Sequence, residues 1–176
     1  MSPSTFQFPT LTTPRLTLRE LTLNDAPAVL AHFADPDVTR HLDIDACRSL
    51  AEAEEIVRFH VEDTGCRWGL FERATGALIG TCGYHCWAPG PPGQAEIGYD
   101  LARAHWGKGL MTEALTAAIS FGFEAMGLAR IEATSEPPNA RSLRLLARLG
   151  FRRDDALRDG LVYCWLAEED WVGNES

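Results

Sequence analysis

Glu96-Ile97-Gly98-Tyr99-Asp100-Leu101, a four-residue loop, and Trp106-Gly107-Lys108-Gly109-Leu110-Met111-Thr112-Glu113-Ala114 form one continuous stretch. It reads as a strand, a glycine turn and the start of a helix. The first N–H groups of a helix have no intrahelical partner, and the helix dipole adds partial positive charge there. Such a turn is an anion site, and Gly107 and Gly109 would let a diphosphate approach the backbone closely. Two other phosphate motifs fail. A dinucleotide fingerprint needs a third glycine where Thr112 stands, and G-x-x-x-x-G-K-[ST] is absent. By itself the Gly-Lys-Gly turn also suits a purely structural role.

Upstream, Arg15–Arg19 alternates as a strand. Asn24-Asp25 then caps a helix to about Ala34, and Asp35-Pro36-Asp37 ends it. Ser49 opens a second helix with Ala53, Ile56, Val57 and His60 on one face. Arg67–Glu72, Ala77–Trp87 and Gln94–Leu101 are strands, the first two joined by a hairpin turn at Ala74-Thr75-Gly76. Downstream, the helix after the glycine turn runs to about Met126, with Leu110, Ala114, Leu115, Ala118, Ile119 and Gly122 as its stripe. Arg130–Thr134 is a strand, Asn139 caps a helix ending at Gly150, and 151–157 with 161–166 form a hairpin around Asp159-Gly160. The order βααβββαβαββ implies an α/β fold: one mixed sheet of about seven strands flanked by helices. Only the 94–134 portion needs a parallel crossover. We expect a single domain over 1–176, with a core of about 13–168 and short flexible ends.

The 176 residues are 45% hydrophobic and 23% charged, as in a globular protein with its own core. No window approaches 18 uninterrupted apolar residues, and Met1–Gln7 carries neither a basic nor an apolar run. These features predict neither membrane nor signal peptide, and a cytoplasmic location. The net charge of −9 disfavours nucleic acid and mildly attracts a cationic amine. Fifteen of the sixteen basic residues are Arg; Lys108 is the only lysine. The five cysteines, without a C-x-x-C, read as reduced thiols. If 82–86 is a regular strand, Cys82 and Cys86 share a face about 13 Å apart and His85 points away. That spacing cannot chelate one zinc, so no metal is expected.

In the order of its parts the chain resembles the GNAT superfamily of acyl-CoA-dependent N-acyltransferases. It is most similar to the RimJ/RimL-like branch that acetylates protein N-terminal amines, with its small-molecule relatives. Trp106 to Met111 occupy the family's Q/R-x-x-G-x-G/A positions. Trp106 replaces Gln/Arg and Met111 replaces Gly/Ala, but W-G-K-G followed by T-E-A is a familiar form of that branch. Asn139-x-x-Ser142, Leu149-Gly150-Phe151 and Thr13-Pro14-Arg15-Leu16-x-Leu18-Arg19 complete the resemblance, which spans 13–166.

The resemblance implies acetyl-CoA as co-substrate. Its pantetheine arm would pair with the backbone at Tyr99, Asp100 and Leu101 as an added strand does. Its diphosphate would sit on the N–H groups of Gly107, Lys108, Gly109, Leu110, Met111 and Thr112. Lys108 either adds a point charge or is simply solvated. Asn139 either bonds the cofactor or is a plain helix N-cap. Arg141, Arg144 and Arg148 share a helical face; one could reach a nucleotide phosphate, but a solvated face is the simpler reading. A homodimer is a family-level expectation.

Acetyl transfer needs a neutral amine, and at pH 7 most amines are protonated. Glu96 is the candidate base, expected to have a raised pKa if partly buried; the alternative is a solvated strand-edge carboxylate. Asp100 is a rival, and Glu113 fits a helix-start pattern. Many family members carry Tyr seven residues after the Asn; here that position is Leu146, so no phenol is expected near the sulfur. Ser142 is the candidate for that place, against the alternative of an exposed helix-start serine. The thioester carbonyl would be polarised by a backbone N–H near Leu101. The leading expectation is an acetyl-CoA-dependent N-acetyltransferase acting on a primary amine, a protein N-terminus or a small molecule. The alternatives are a non-catalytic acyl-CoA sensor and a generic nucleotide-phosphate binder.

Overall fold

The computed structural model describes residues 8–62 and 66–173. The Met1–Gln7 segment read above, and the last three residues, lie outside the described residues.

The strands are β1 (Leu11–Thr12), β2 (Leu16–Arg19), β3 (Cys66–Glu72), β4 (Leu78–Ala88), β5 (Gly93–Leu101), β6 (Leu128–Ser135), β7 (Arg152–Arg153) and β8 (Val162–Ala167). The helices are α1 (Ala26–Phe33), α2 (Pro36–Thr39), α3 (Leu50–Glu62), α4 (Leu110–Glu124) and α5 (Ala140–Arg148). The strands form one mixed sheet in the order β1-β2-β3-β4-β5-β6-β8-β7. Among these pairings only β5–β6 is parallel, crossed over by α4, as the sequence order requires.

The sheet has one strand more than expected. β1 is two residues long, too short to show a period of two. The final hairpin is reduced to β7 paired with β8 through Arg152↔Trp165 and Arg153↔Cys164, plus a bridge Arg158↔Leu161. The first helix is preceded by a 3₁₀ turn at Leu23–Asp25, and a four-residue helix, α2, follows at the expected breaker. Asp35 makes that helix possible: its side chain accepts from the Asp37 N–H, and Pro36 has the φ of a first helical residue.

Each face of the sheet carries its own core. Leu21, Val29, Phe33, Val57 and Phe71 pack α1 and α3 on one face. Trp68, Tyr84, Ile97, Leu115, Ile119 and Leu146 pack α4 and α5 on the other. The alternation of β5 feeds both: Ala95, Ile97, Tyr99 and Leu101 belong to the α4/α5 side, so Glu96, Gly98 and Asp100 face α1 and α3. No helix in the described residues is long and apolar enough to cross a membrane.

Candidate active site

β5 and β6 are paired only from Gly93↔Leu128 to Glu96↔Glu132. β5 continues to Leu101 and β6 to Ser135, so beyond Glu96 the two strands part. The other edge of β5 remains paired with β4 as far as Gly80↔Leu101. The edge of 97–101 that faces β6 therefore offers backbone groups to a ligand. A cleft of about 1340 Å³ opens there. Its wall includes Glu96, Tyr99, Asp100, Leu101, Gly107, Gly109, Leu110, Met111, Thr112, Asn139 and Ser142, so nearly all the expected site residues converge on it.

The glycine turn closes one end. Gly107 and Gly109 have φ of 73° and 75°, the left-handed region that L side chains avoid. A Cβ at Gly107 would meet nothing within 4 Å, so conformation, not crowding, calls for glycine there. Gly109 is the N-cap of α4 and supplies no side-chain cap, leaving the first N–H groups of the helix to another acceptor. The turn is held from behind. Arg15 donates to the Lys108 carbonyl and to Glu113, and Glu113 also accepts from Thr13 Oγ1 and the Arg15 N–H. Burial pushes the Glu113 carboxyl up, but these bonds outweigh it and hold it below its ordinary range. The Lys108 side chain is exposed and lies outside the cleft wall.

Three expectations need correction. First, Glu96 does not have a raised pKa. Its hydrogen bond with His85 (Nε2 to Oε1 3.4 Å), joined by one from Thr134 Oγ1 at 2.8 Å, outweighs desolvation and holds the carboxyl below the usual range. Second, Asp100 cannot serve as a free carboxylate. It accepts from Thr81 Oγ1 and N and lies 2.5 Å from His32 Nε2, tying α1 to the sheet. Third, a phenol does reach Ser142. The Tyr99 hydroxyl, from β5, lies 2.6 Å from Ser142 Oγ, and burial raises the Tyr99 pKa to about 12.

The 82–86 segment also departs from a regular strand. Pairing of β4 with β5 is irregular between His85 and Ala88, and Cys86 has φ 52°. The bulge leaves Cys82 buried but turns Cys86 outward. Ligand atoms of His85, Cys86 and Glu96 consequently lie within 4.8 Å of one another. Arg67 stands at the other ring nitrogen of His85, 3.5 Å from Nδ1, so this cluster already has a cation beside it.

Residues 15–152 match the Acetyltransferase (GNAT) domain. The chain belongs to the GNAT acetyltransferase family. It is 39% identical over 154 residues to an uncharacterized N-acetyltransferase, p20, of Bacillus licheniformis, covering 85% of this chain and 86% of that one. It is 36% identical over 107 residues to the [ribosomal protein uS5]-alanine N-acetyltransferase of Escherichia coli (strain K12), covering 61% of this chain and 55% of that one. Its fold matches that of RimL, a ribosomal L7/L12 α-N-protein acetyltransferase solved with coenzyme A, with a TM-score of 0.78 at 17% identity over 90% of this chain and 98% of that one.

As a GNAT N-acetyltransferase the protein carries out acetyl transfer, and the cleft must accept a donor and an acceptor. The residues present fit an acyl-CoA donor: an unpaired strand edge suits the amides of a pantetheine arm, and a bare helix N-terminus suits a diphosphate. Sequence reasoning missed several residues that shape this GNAT cleft. The α2 segment spans its mouth, because Asp37 accepts from Arg103 at 2.7 Å on the β5 side and His41 Nδ1 lies 2.9 Å from Glu136 on the β6 side. His85 does point away from Cys82, as expected, but Cys86 was assigned to the wrong face, and Arg67 went unnoticed. The placement of Cys86 depends on the bulge, which no local pattern in 82–88 announces.

Proposed function

We propose that this protein transfers the acetyl group of acetyl-CoA to a primary amine by direct attack. The observation that carries the reading is the parting of β5 and β6 beyond Glu96, beside the glycine turn. The pantetheine arm would lie along Tyr99, Asp100 and Leu101. The N–H groups of Gly107 to Thr112 would hold the diphosphate. The Asn139 side chain caps α5 by accepting from the Ser142 N–H at 3.3 Å, which supports its alternative role as a plain cap. As a cap it would set the helix end against which the arm rests.

The cleft wall bears Asp43, Asp45, Glu52, Glu55 and Glu96 against Arg48 and Arg67, an excess of negative charge that suits an ammonium ion. Both acceptor classes, a protein N-terminus and a small-molecule amine, arrive in that form. The relative that acts on a ribosomal-protein alanine supports the first class.

Magnitudes assign the proton steps. An α-amine has a pKa near 8, whereas the bonds from His85 and Thr134 hold the Glu96 carboxyl below its ordinary range. Moving a proton from a free ammonium to a carboxyl held that low is strongly uphill. Glu96 is thus suited to hold and orient the ammonium; its first proton is lost to water, giving the neutral amine that attacks, and Glu96 takes the second proton only as the C–N bond forms and the nitrogen becomes acidic. The nitrogen lone pair bonds to the carbonyl carbon, the C–S bond breaks, and its electron pair leaves on sulfur. A thiolate of pKa about 8.5 is a fair leaving group, whereas Tyr99 at about 12 is too weak an acid to protonate it readily. Tyr99 and Ser142 would instead offer the sulfur a hydrogen bond, with the final proton coming from water.

The test is thiol release from acetyl-CoA over a panel of N-terminal peptides and small amines. Amine-dependent release is expected; tight coenzyme binding with no release on any amine would favour the sensor reading.

A further inference from the structure

One departure from the family signature is answered elsewhere in the chain. Trp106 stands where Gln or Arg begins the signature, so the glycine turn opens without its usual polar side chain. The structure places a cation there from another element. The guanidinium carbon of Arg141, in the first turn of α5, lies 3.1 Å from the centroid of the Trp106 ring. The indole is fixed in turn, its N–H donating to the Leu101 carbonyl at 2.8 Å. Both side chains line the cleft beside Gly107 and Gly109.

Arg141 also belongs to a locally basic helix face in a chain of net charge −9. Arg15, Arg19, Arg103 and Arg130 each have a carboxylate partner. Arg141, Arg144 and Arg148 have none among the described residues, yet all three line the cleft. A helix face bearing three cations on a cavity wall, none of them in an ion pair, favours the entry of an anion. Burial and the charge of Arg144 lower the Arg141 pKa, and the opposing pull of Asp37 does not make up for them.

We infer that Arg141, shelved on the face of Trp106, is a phosphate-binding residue of the coenzyme site, with Trp106 as its positioning residue. This rests on the proposed acetyl-CoA reading of the cleft. The ligand chemistry is a phosphate oxygen, which the planar guanidinium fork can grip while its face stacks on the indole. Two phosphates of the coenzyme could supply it: the diphosphate and the 3′-phosphate of the ribose.

The experiment is calorimetric titration of coenzyme A and of dephospho-coenzyme A into wild type, R141A, R141K, W106L and W106F. Wild type is expected to bind coenzyme A, and R141A to bind it about ten-fold more weakly, with a shallower loss of affinity as salt is raised. An equal loss for both ligands assigns the contact to the diphosphate; a loss confined to coenzyme A assigns it to the 3′-phosphate. R141K, which keeps the charge but not the planar fork, should fall between. W106L should match R141A, while W106F, which keeps a ring face, should bind within about two-fold of wild type. Unchanged affinity and salt slope in R141A would overturn the inference while leaving the cleft reading intact. An effect in R141A with none in W106L would remove Trp106 from it. If wild type binds neither ligand, the cleft reading fails and the inference falls with it.

Discussion

The Tyr99 hydroxyl and Ser142 Oγ, 43 positions apart, meet at 2.6 Å and join the free edge of β5 to the first turn of α5. The pair sits on the cleft wall, with Tyr99 neutral throughout the physiological range because burial raises its pKa to about 12. If the two hydroxyls act as one hydrogen-bonding unit on the sulfur, their effects will not add. Y99F and S142A should each lower kcat about 10- to 100-fold, the cost of a hydrogen bond to a developing charge, with little change in Tm. The double variant should be no worse than about two-fold below the weaker single one. Steady-state kinetics on the three proteins checks this; a multiplicative loss would separate their roles.

Glu96 gives a pH prediction whose sign follows from its hydrogen bonds. His85 and Thr134 hold its folded pKa below the unfolded value, so its contribution to stability is full above the unfolded pKa and fades as pH falls through the folded one. E96Q should therefore melt below wild type at pH 6, and the difference should shrink below about pH 4. Thermal melts across pH 3–7 read this directly. A difference that grows on acidification would mean that the carboxyl is held up rather than down. In kinetics, the acidic limb assigned to Glu96 should lie below the ordinary carboxylate range and vanish in E96Q.

Gly122 should behave against helix propensity. Alanine is the better helix former by about 1 kcal/mol. However, a Cβ at Gly122 would overlap the Tyr84 hydroxyl oxygen and stand 2.9 Å from its ring carbon. Tyr84 is fully buried and donates to the Ala118 carbonyl at 2.7 Å, so it has little room to yield. G122A should cost about 2 kcal/mol, a fall of about 6 °C in Tm. Adding Y84F should recover part of that loss by removing the hydroxyl.

The glycine turn is predicted to be strained by any side chain. G109A places a Cβ at φ 75°, costing about 1 kcal/mol and shifting the N-terminus of α4. Coenzyme A affinity should drop by more than the stability loss alone implies. R15A, which unties the Lys108 carbonyl and Glu113 from behind, should weaken binding to a smaller degree without touching the ligand. Calorimetry and thermal melts on both variants separate the two effects.

Much of this was legible in the chain. The glycine turn, the α4 stripe and the single parallel crossover follow from local periods and from two glycines at the head of a helix. The convergence of Glu96, Tyr99, Ser142 and Asn139 on one cleft was an expectation of the family resemblance, and all four line it. What was not legible depends on long-range contact. The direction of the Glu96 shift needs His85 and Thr134, which arrive from β4 and β6. Asp100 looks like a free carboxylate until α1 brings His32 against it. Leu146 at the usual tyrosine position argues against a phenol, but Tyr99 supplies one from the opposite wall. The Cys86 bulge reverses the side on which a regular strand would place it.

Backbone amide hydrogen exchange, with and without saturating coenzyme A, addresses the central claim most directly, because the claim concerns named N–H groups. Exchange should slow on the free edge of β5 over 97–101 and across Gly107 to Thr112, while β1 and β2 stay unchanged. Binding that protects neither stretch, or protects only residues remote from the parting of β5 and β6, would contradict it.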